Sequence, residues 1–159
     1  MKKMRWSVLL VALVLMGLLF AVSANRSSTA RAESQATHIQ PQPVEKDMHE
    51  FMEYVFEPTY KRLKQSMAHE PADNNAWKGV KSDALILAEG GNLLLFRGSK
   101  KGTAAWGELS AAVRDSGSKL YEAAKQKDYR STREHYEAML QNCNSCHKKF
   151  AEGKHQVSP

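Results

Sequence analysis

Cysteine is scarce in this sequence: its 159 residues include two, Cys143 and Cys146. Two cysteines cannot support a disulfide-rich scaffold, so the chain must fold around a hydrophobic core. Hydrophobic residues make up 42% of the chain and charged residues 25%, which is ordinary for a globular protein. The length predicts one domain.

Strand-like alternation and internal repeats are also missing. From Val44 onward, apolar residues instead recur at helical spacing. Four amphipathic segments are predicted, at about 44–67, 75–96, 103–127 and 129–152. Because short loops join them, the predicted fold is all-α, an antiparallel four-helix bundle within residues 44–159.

Three residues interrupt the predicted helices. Pro58 lacks a backbone N–H, so a kink or short break is predicted near Phe56. Gly90 and Gly91 each weaken helix formation by about 1 kcal/mol relative to alanine. Either a neighbouring helix or a bulky ligand comes close at these glycines, or they mark a simple kink.

Acidic residues are absent from residues 1–32, which hold five of the 23 basic residues. The remainder carries 18 basic against 17 acidic residues, so the net charge of +6 belongs mainly to this first segment. A nucleic-acid-binding function therefore loses its main support.

Residues 1–32 have the pattern of an export leader. Basic residues precede an uninterrupted apolar run, Val8–Val22, and small residues follow it. Trp6–Ala24, with 19 residues, is also long enough to remain as a membrane anchor if it is not cleaved. In either case we predict that the rest of the chain is exported, with residues 33–43 as a disordered polar linker.

Both cysteines lie in the sequence CNSCH, residues 143–147, within the fourth predicted helix. Spacings of three and four residues place Cys143, Cys146 and His147 on one helical face. Tyr136 and Met139 share this face, so it is predicted to point inward.

Three kinds of site use cysteines at this spacing. A thiol–disulfide pair usually begins a helix, whereas this pair lies about four turns into one. Structural zinc needs four ligands, and the motif offers three, with His155 eight residues beyond His147. C-x-x-C-H is the signature of covalent haem attachment, in which two thioethers fix the haem and the histidine coordinates iron. Such attachment occurs outside the cytoplasm, so the leader favours this third interpretation.

The stretch MLQNCNSCHKKF, near the end of the last predicted helix, resembles the class II c-type cytochromes, the cytochrome c-prime group. These are exported four-helix-bundle monohaem proteins. The resemblance covers Val44–Glu152 and, outside the motif, is one of pattern. It implies one haem c per chain, attached to Cys143 and Cys146, with His147 as the proximal iron ligand. It also implies a bacterial periplasmic location, a redox partner protein and a homodimer formed through the first two helices.

The sixth iron ligand is a separate question. In this family the first helix supplies either a methionine, as in six-coordinate electron carriers, or an apolar residue, as in five-coordinate haems that bind gases. The antiparallel position opposite Cys143 lies near Tyr54. Met52 therefore fits best, Met48 lies one turn too far, and His49 is expected to be exposed. Plain core packing is the other reading of both methionines.

The family often places an arginine near a haem propionate, one turn before the distal residue. This chain has Met48 there, so Arg97 and Lys46 are the suggested substitutes.

The prediction is a monohaem electron carrier with His147 and Met52 as axial ligands and without enzymatic activity. The alternative is a five-coordinate haem that binds nitric oxide or carbon monoxide, with Tyr54, Phe51 and Phe56 crowding its distal face. A haem-free thiol–disulfide protein is the remote alternative.

Overall fold

The computed structural model describes residues 41–98 and 102–159, which contain helices and no strands. The elements are α1 (Met48–Phe51), a π-helical turn (Met52–Phe56), α2 (Glu57–Ser66), α3 (Asn74–Arg97), α4 (Thr103–Gln126) and α5 (Tyr129–Phe150). The all-α prediction is confirmed for these residues, and their helices pack as expected for a bundle. The leader predicted for residues 1–32 and residues 33–40 of the linker predicted at 33–43 lie outside the described residues. No helix in the described part is long and apolar enough to cross a membrane.

Aspartates cap the N-termini of three helices, α1, α3 and α5. The carboxylate of Asp73 accepts hydrogen bonds from the backbone N–H groups of Asn75 and Ala76, both at 2.8 Å. Asp128 caps α5 in the same way. Because the first N–H groups of a helix have no partner within it, these side chains fix where α3 and α5 begin. Both helices start within one residue of the predicted positions.

The break predicted near Phe56 is a π-helical turn instead. The chain stays helical, and the N–H of Glu57 donates to the carbonyl of Met52, five residues earlier. Pro58 lies in the first turn of α2, where its ring is well tolerated. The helix therefore widens by one residue before the proline and does not end there.

The two central glycines mark close approaches. A Cβ atom at Gly91 would lie 2.7 Å from the backbone nitrogen of Arg114 on α4. A Cβ atom at Gly90 would lie 2.6 Å from Cζ of Phe56. The predicted close approach of a neighbouring element at these glycines is therefore confirmed.

An open seam separates α2 from α5. α2 packs on α3, α3 on α4 and α4 on α5, whereas no Cα of α1, the π-helical turn or α2 lies within 8 Å of a Cα of α5. Leu63 of α2 and Tyr136 of α5 nevertheless belong to one buried core. Arg133 closes one end of the seam by donating to the carbonyl of Met67 at 2.7 Å. Toward the other end, where α5 ends, the seam widens into a cavity.

Candidate functional site

The seam between α2 and α5 contains a cavity of about 810 Å³. Every helix and the C-terminal residues contribute to its walls. The candidate ligands and attachment residues named from the sequence all line it: Met48, His49, Met52, Cys143, Cys146 and His147. Pockets for small molecules and cofactors have volumes of about 300–1,000 Å³, so the space suits a cofactor.

The CNSCH residues occupy the last two turns of α5, which ends at Phe150. Cys143 and Cys146 are both free thiols, and Cys146 is 6% exposed. His147 is half-buried, and its Nδ1 atom is enclosed without a partner that meets hydrogen-bond geometry. Two thiols and an imidazole thus line one cavity from one helix.

Burial controls the protonation of these side chains. It raises the pKa of the Cys143 thiol to about 12, with a further contribution from the Cys146 thiol, and it also raises the pKa of Cys146. It lowers the pKa of His147, although the nearby backbone of His155 acts in the opposite direction. At pH 7 the imidazole is therefore neutral and can bind a metal. The thiols are protonated, unlike the low-pKa cysteines of redox enzymes.

The continuous helical segment made of α1, the π-helical turn and α2 presents every fourth side chain to the cavity: Met48, Met52, Phe56 and Tyr60. Met48 and Met52 also pack against the apolar cluster that contains Phe51 and Cys146. Both methionines therefore combine a packing role with access to the cavity. Met52 itself lies in the π-helical turn.

His49 lies at the edge of the cavity, whereas Tyr54 lies outside it. The His49 side chain is 66% exposed, as expected, but its ring stands at the cavity edge, 5.8 Å from the ring of His155. Tyr54 is 67% exposed and is not among the cavity-lining residues. The expectation that Tyr54 crowds a distal face is wrong, because Tyr54 is two residues from both Met52 and Phe56 and so points to the opposite side of the helix.

Arg97 and Lys46, suggested as propionate partners, do not line the cavity. The Arg97 guanidinium stacks 3.7 Å from the ring centroid of Phe51 and donates to the carbonyl of Glu45 at 2.6 Å. Phe51 is itself buried away from the cavity lining. Of the three aromatic residues expected at a distal face, Phe56 is the one that lines the cavity.

Sequence reasoning missed the contribution of the residues after α5. Ala151, Glu152 and residues 154–157 line the cavity, and the ring of His155 lies 6.5 Å from the ring of His147. This segment continues no apolar stripe, so its sequence offered His155 alone as a signal, eight residues beyond the motif.

Protein side chains alone do not form a metal cage in the described ranges. No group of three or more His, Cys, Asp or Glu residues among 41–98 and 102–159 is arranged to hold a metal ion.

Compared with known proteins, the chain matches no protein-family model and no curated protein.

Proposed function

We propose that this protein is an exported monohaem c-type cytochrome of the class II, cytochrome c-prime-like group, and that it transfers electrons. One observation carries the proposal. Both thiols of CNSCH, the imidazole of His147 and the side chain of Met52 line a single cofactor-sized cavity. The motif alone predicted the attachment chemistry, and the cavity adds a place for the group that would be attached.

The residues around the cavity fit haem c. Cys143 and Cys146 are not paired with each other, so both sulfurs are available for thioether bonds. His147 is held neutral by burial, the state in which its nitrogen can bind iron. The apolar walls that would exclude water include Leu87, Leu94 and Val113. When bound, haem supplies the one-electron chemistry of iron, and the surrounding side chains tune its potential by burial and ligation.

His147 is proposed as one axial ligand and Met52 as the other. Met48, one turn earlier in the same row, is the alternative donor. A cavity without a bound methionine would instead favour five-coordinate iron and binding of nitric oxide or carbon monoxide. The haem-free thiol–disulfide alternative receives no support, because burial raises the pKa of both cysteines.

The proposed location and partners follow from the leader pattern and from the resemblance to class II c-type cytochromes. Residues 1–32 direct export to the bacterial periplasm and are either cleaved or kept as a membrane anchor, and residues 33–43 serve as a linker. The domain at 44–159 is an antiparallel four-helix bundle that exchanges electrons with a redox protein and forms a homodimer. It has neither enzymatic activity nor nucleic-acid binding in this proposal.

The deciding experiment is the absorption spectrum of the full chain, produced in bacteria that attach c-type haem. We expect haem that resists acid–acetone extraction, sharp α and β bands on reduction, and a methionine charge-transfer band on oxidation. A broad high-spin spectrum that changes with carbon monoxide would replace electron transfer with gas binding. A folded but colourless protein would overturn both haem functions.

Alanine variants separate the two methionines. Met52→Ala should convert a low-spin spectrum to a high-spin one, whereas Met48→Ala should leave the iron low-spin. The reverse result would move the ligand role to Met48. If neither variant changes the spectrum, the sixth ligand is not a methionine of this row.

A further inference from the structure

The nine residues that follow α5, Ala151–Pro159, form a strap that turns back across the open seam. The turn uses left-handed backbone conformations at Glu152, Gly153 and His155, with φ of 55°, 75° and 58°. Such conformations are unfavourable for residues with side chains and persist where surrounding contacts hold them. The strap is therefore expected to be fastened to the bundle, and side chains of α2 and α5 fasten it.

Asn144, from the interior of the CNSCH motif, fastens the strap to α5. Its side-chain NH2 donates to the carbonyl of Val157 at 2.9 Å, and its carbonyl oxygen accepts from the N–H of Val157 at 2.8 Å. The amide thus satisfies both backbone groups of one residue. The Val157 side chain packs against the main core cluster.

Tyr60 fastens the next strap residue to α2. Its hydroxyl donates to the carbonyl of Ser158 at 2.8 Å and accepts from the N–H of Ser158 at 3.1 Å. The ammonium of Lys64 also donates to the hydroxyl oxygen of Ser158 at 2.9 Å. Because Tyr60 belongs to α2 and Asn144 to α5, the strap joins two helices whose Cα atoms all stay more than 8 Å apart.

The fastened strap brings His155 beside the motif histidine. The rings of His155 and His147 are 6.5 Å apart and nearly perpendicular, at 74°. The Nδ1 atom of His147 is buried without a partner that meets hydrogen-bond geometry. A metal-binding histidine is normally oriented by a neighbouring group that contacts its second ring nitrogen. The N–H of Gly153, in the strap, also donates to the backbone carbonyl of His147 at 3.1 Å.

We propose that the strap, clamped by Asn144 and Tyr60, closes the cavity and fixes the orientation of the His147 imidazole through His155. Asn144 and Tyr60 are positioning residues in this role, since they act on iron only through the strap. The effect on iron rests on the proposed haem function. The closure of the seam does not, because its hydrogen bonds join protein groups alone.

Hydrogen exchange in the full chain without haem tests the clamp. The N–H groups of Val157 and Ser158 should be protected from exchange. Asn144→Ala should expose the Val157 amide, and Tyr60→Phe, which keeps the ring, should expose the Ser158 amide. Rapid exchange at both amides in the unaltered chain would overturn the strap.

Asn142→Ala is the matched control. Asn142 lies on the same helix and also makes two side-chain hydrogen bonds, to the Ala112 carbonyl at 3.1 Å and the Ser116 hydroxyl at 3.2 Å. These bonds join α5 to α4, so this variant should lower the melting temperature while the strap amides stay protected.

The holoprotein tests the effect on His147. Each clamp variant loses two hydrogen bonds, which should raise the rate of binding of added imidazole to ferric iron about tenfold. It should also shift the EPR g values, which depend on the orientation of the axial imidazole. Asn142→Ala should change neither. If the clamp variants lower only the melting temperature, the positioning role is wrong while the haem function stands. A chain that takes up no haem overturns the proposed function, and the exchange experiment then decides the strap by itself.

Discussion

Gly90 of α3 lies against the ring of Phe56, so closely that a Cβ atom on Gly90 would be 2.6 Å from the Cζ atom of that ring. Phe56 in turn lines the cavity. The missing side chain of one helix thus sets the position of an aromatic side chain in another, at the wall of the proposed haem site.

Gly90→Ala should push the Phe56 ring toward the cavity and reduce haem uptake. The ring is the end of a flexible side chain, so we expect a stability change below about 1.5 kcal/mol. Absorbance of attached haem per chain measures the uptake. Gly79→Ala on the same helix is the control, because a Cβ atom there meets nothing within 4 Å. Equal uptake by the two variants would show that Phe56 does not limit the cavity.

Gly91→Ala should be much more damaging than Gly90→Ala. The new Cβ atom would meet the backbone of Arg114, which cannot rotate away, at 2.7 Å. We expect a net loss of about 2 kcal/mol in the free energy of unfolding, despite the helix propensity gained from alanine. Urea denaturation measures it. Gly107→Ala on α4, where the added methyl group meets open space, should stabilise the protein slightly. Similar values for Gly91→Ala and Gly107→Ala would contradict the close packing of α3 on α4.

The thiols of the haem-free chain should react slowly. Burial raises the pKa of Cys143 to about 12, so little thiolate exists at pH 8. Alkylation by iodoacetamide at pH 8 should be at least about a hundredfold slower than in the same chain unfolded in urea. Desolvation favours the neutral thiol, so it raises the pKa and lowers the rate of alkylation. Alkylation of the folded chain at the unfolded rate would revive the thiol–disulfide alternative.

Arg62 should be worth more to stability than its neighbour Lys61. The buried carboxylate of Asp83 accepts from Nη2 of Arg62 at 2.7 Å and from Nε at 3.1 Å. Arg62→Ala strands this charge and should cost about 2 kcal/mol. Lys61→Ala breaks an exposed pair with Glu57 and should cost less than about 1 kcal/mol. Equal costs in chemical denaturation would mean that water reaches Asp83 freely.

A charge on the outer face of α3 should dissociate the proposed homodimer. This face exposes four large apolar side chains, 39–44% accessible: Leu85, Ile86, Leu93 and Phe96. Leu93→Glu should therefore convert dimers to monomers in sedimentation velocity. Lys78→Glu, near the start of α3, is the charge-changing control. A monomeric unaltered protein would count against a dimer through this helix.

Local signals predicted most of the fold. Asp73 and Asp128 are good capping residues, and the apolar stripes around Trp77 and Leu120 extend over whole helices, so four helical segments could be located closely. Pro58 clearly predicts an irregularity in the first helical segment, but not which kind. A proline that is poorly placed in a helix can end it or follow a wider turn, and the choice depends on packing that the local sequence does not contain.

The strap could not be predicted in this way. Tyr60 and Ser158 pair across 98 positions through side-chain and backbone atoms, and such a pair leaves no periodic pattern. Asn144 carries no signal of its own in the sequence, because its role depends on Val157, beyond the end of the helix. The motif thus predicts haem attachment, whereas the position of the strap required the folded chain.

The π-helical turn keeps four side chains on the side of the helix that faces the cavity: Met48, Met52, Phe56 and Tyr60. In an α-helix each step of four residues overshoots a full turn by about 40°, so a regular helix would rotate Met48 about 120° away from Tyr60. In the wider π-helical segment, four residues rotate the chain by less than 360°, which cancels part of the rotation that the α-helical steps accumulate. With one residue removed from Met52–Phe56, a regular α-helix would place Met48 and Tyr60 eleven residues apart and about 20° from alignment, so Met48 would still face the cavity. One additional residue thus lets four side chains spaced four residues apart face the same space, whereas a regular α-helix over the same residues would turn Met48 away from the cavity.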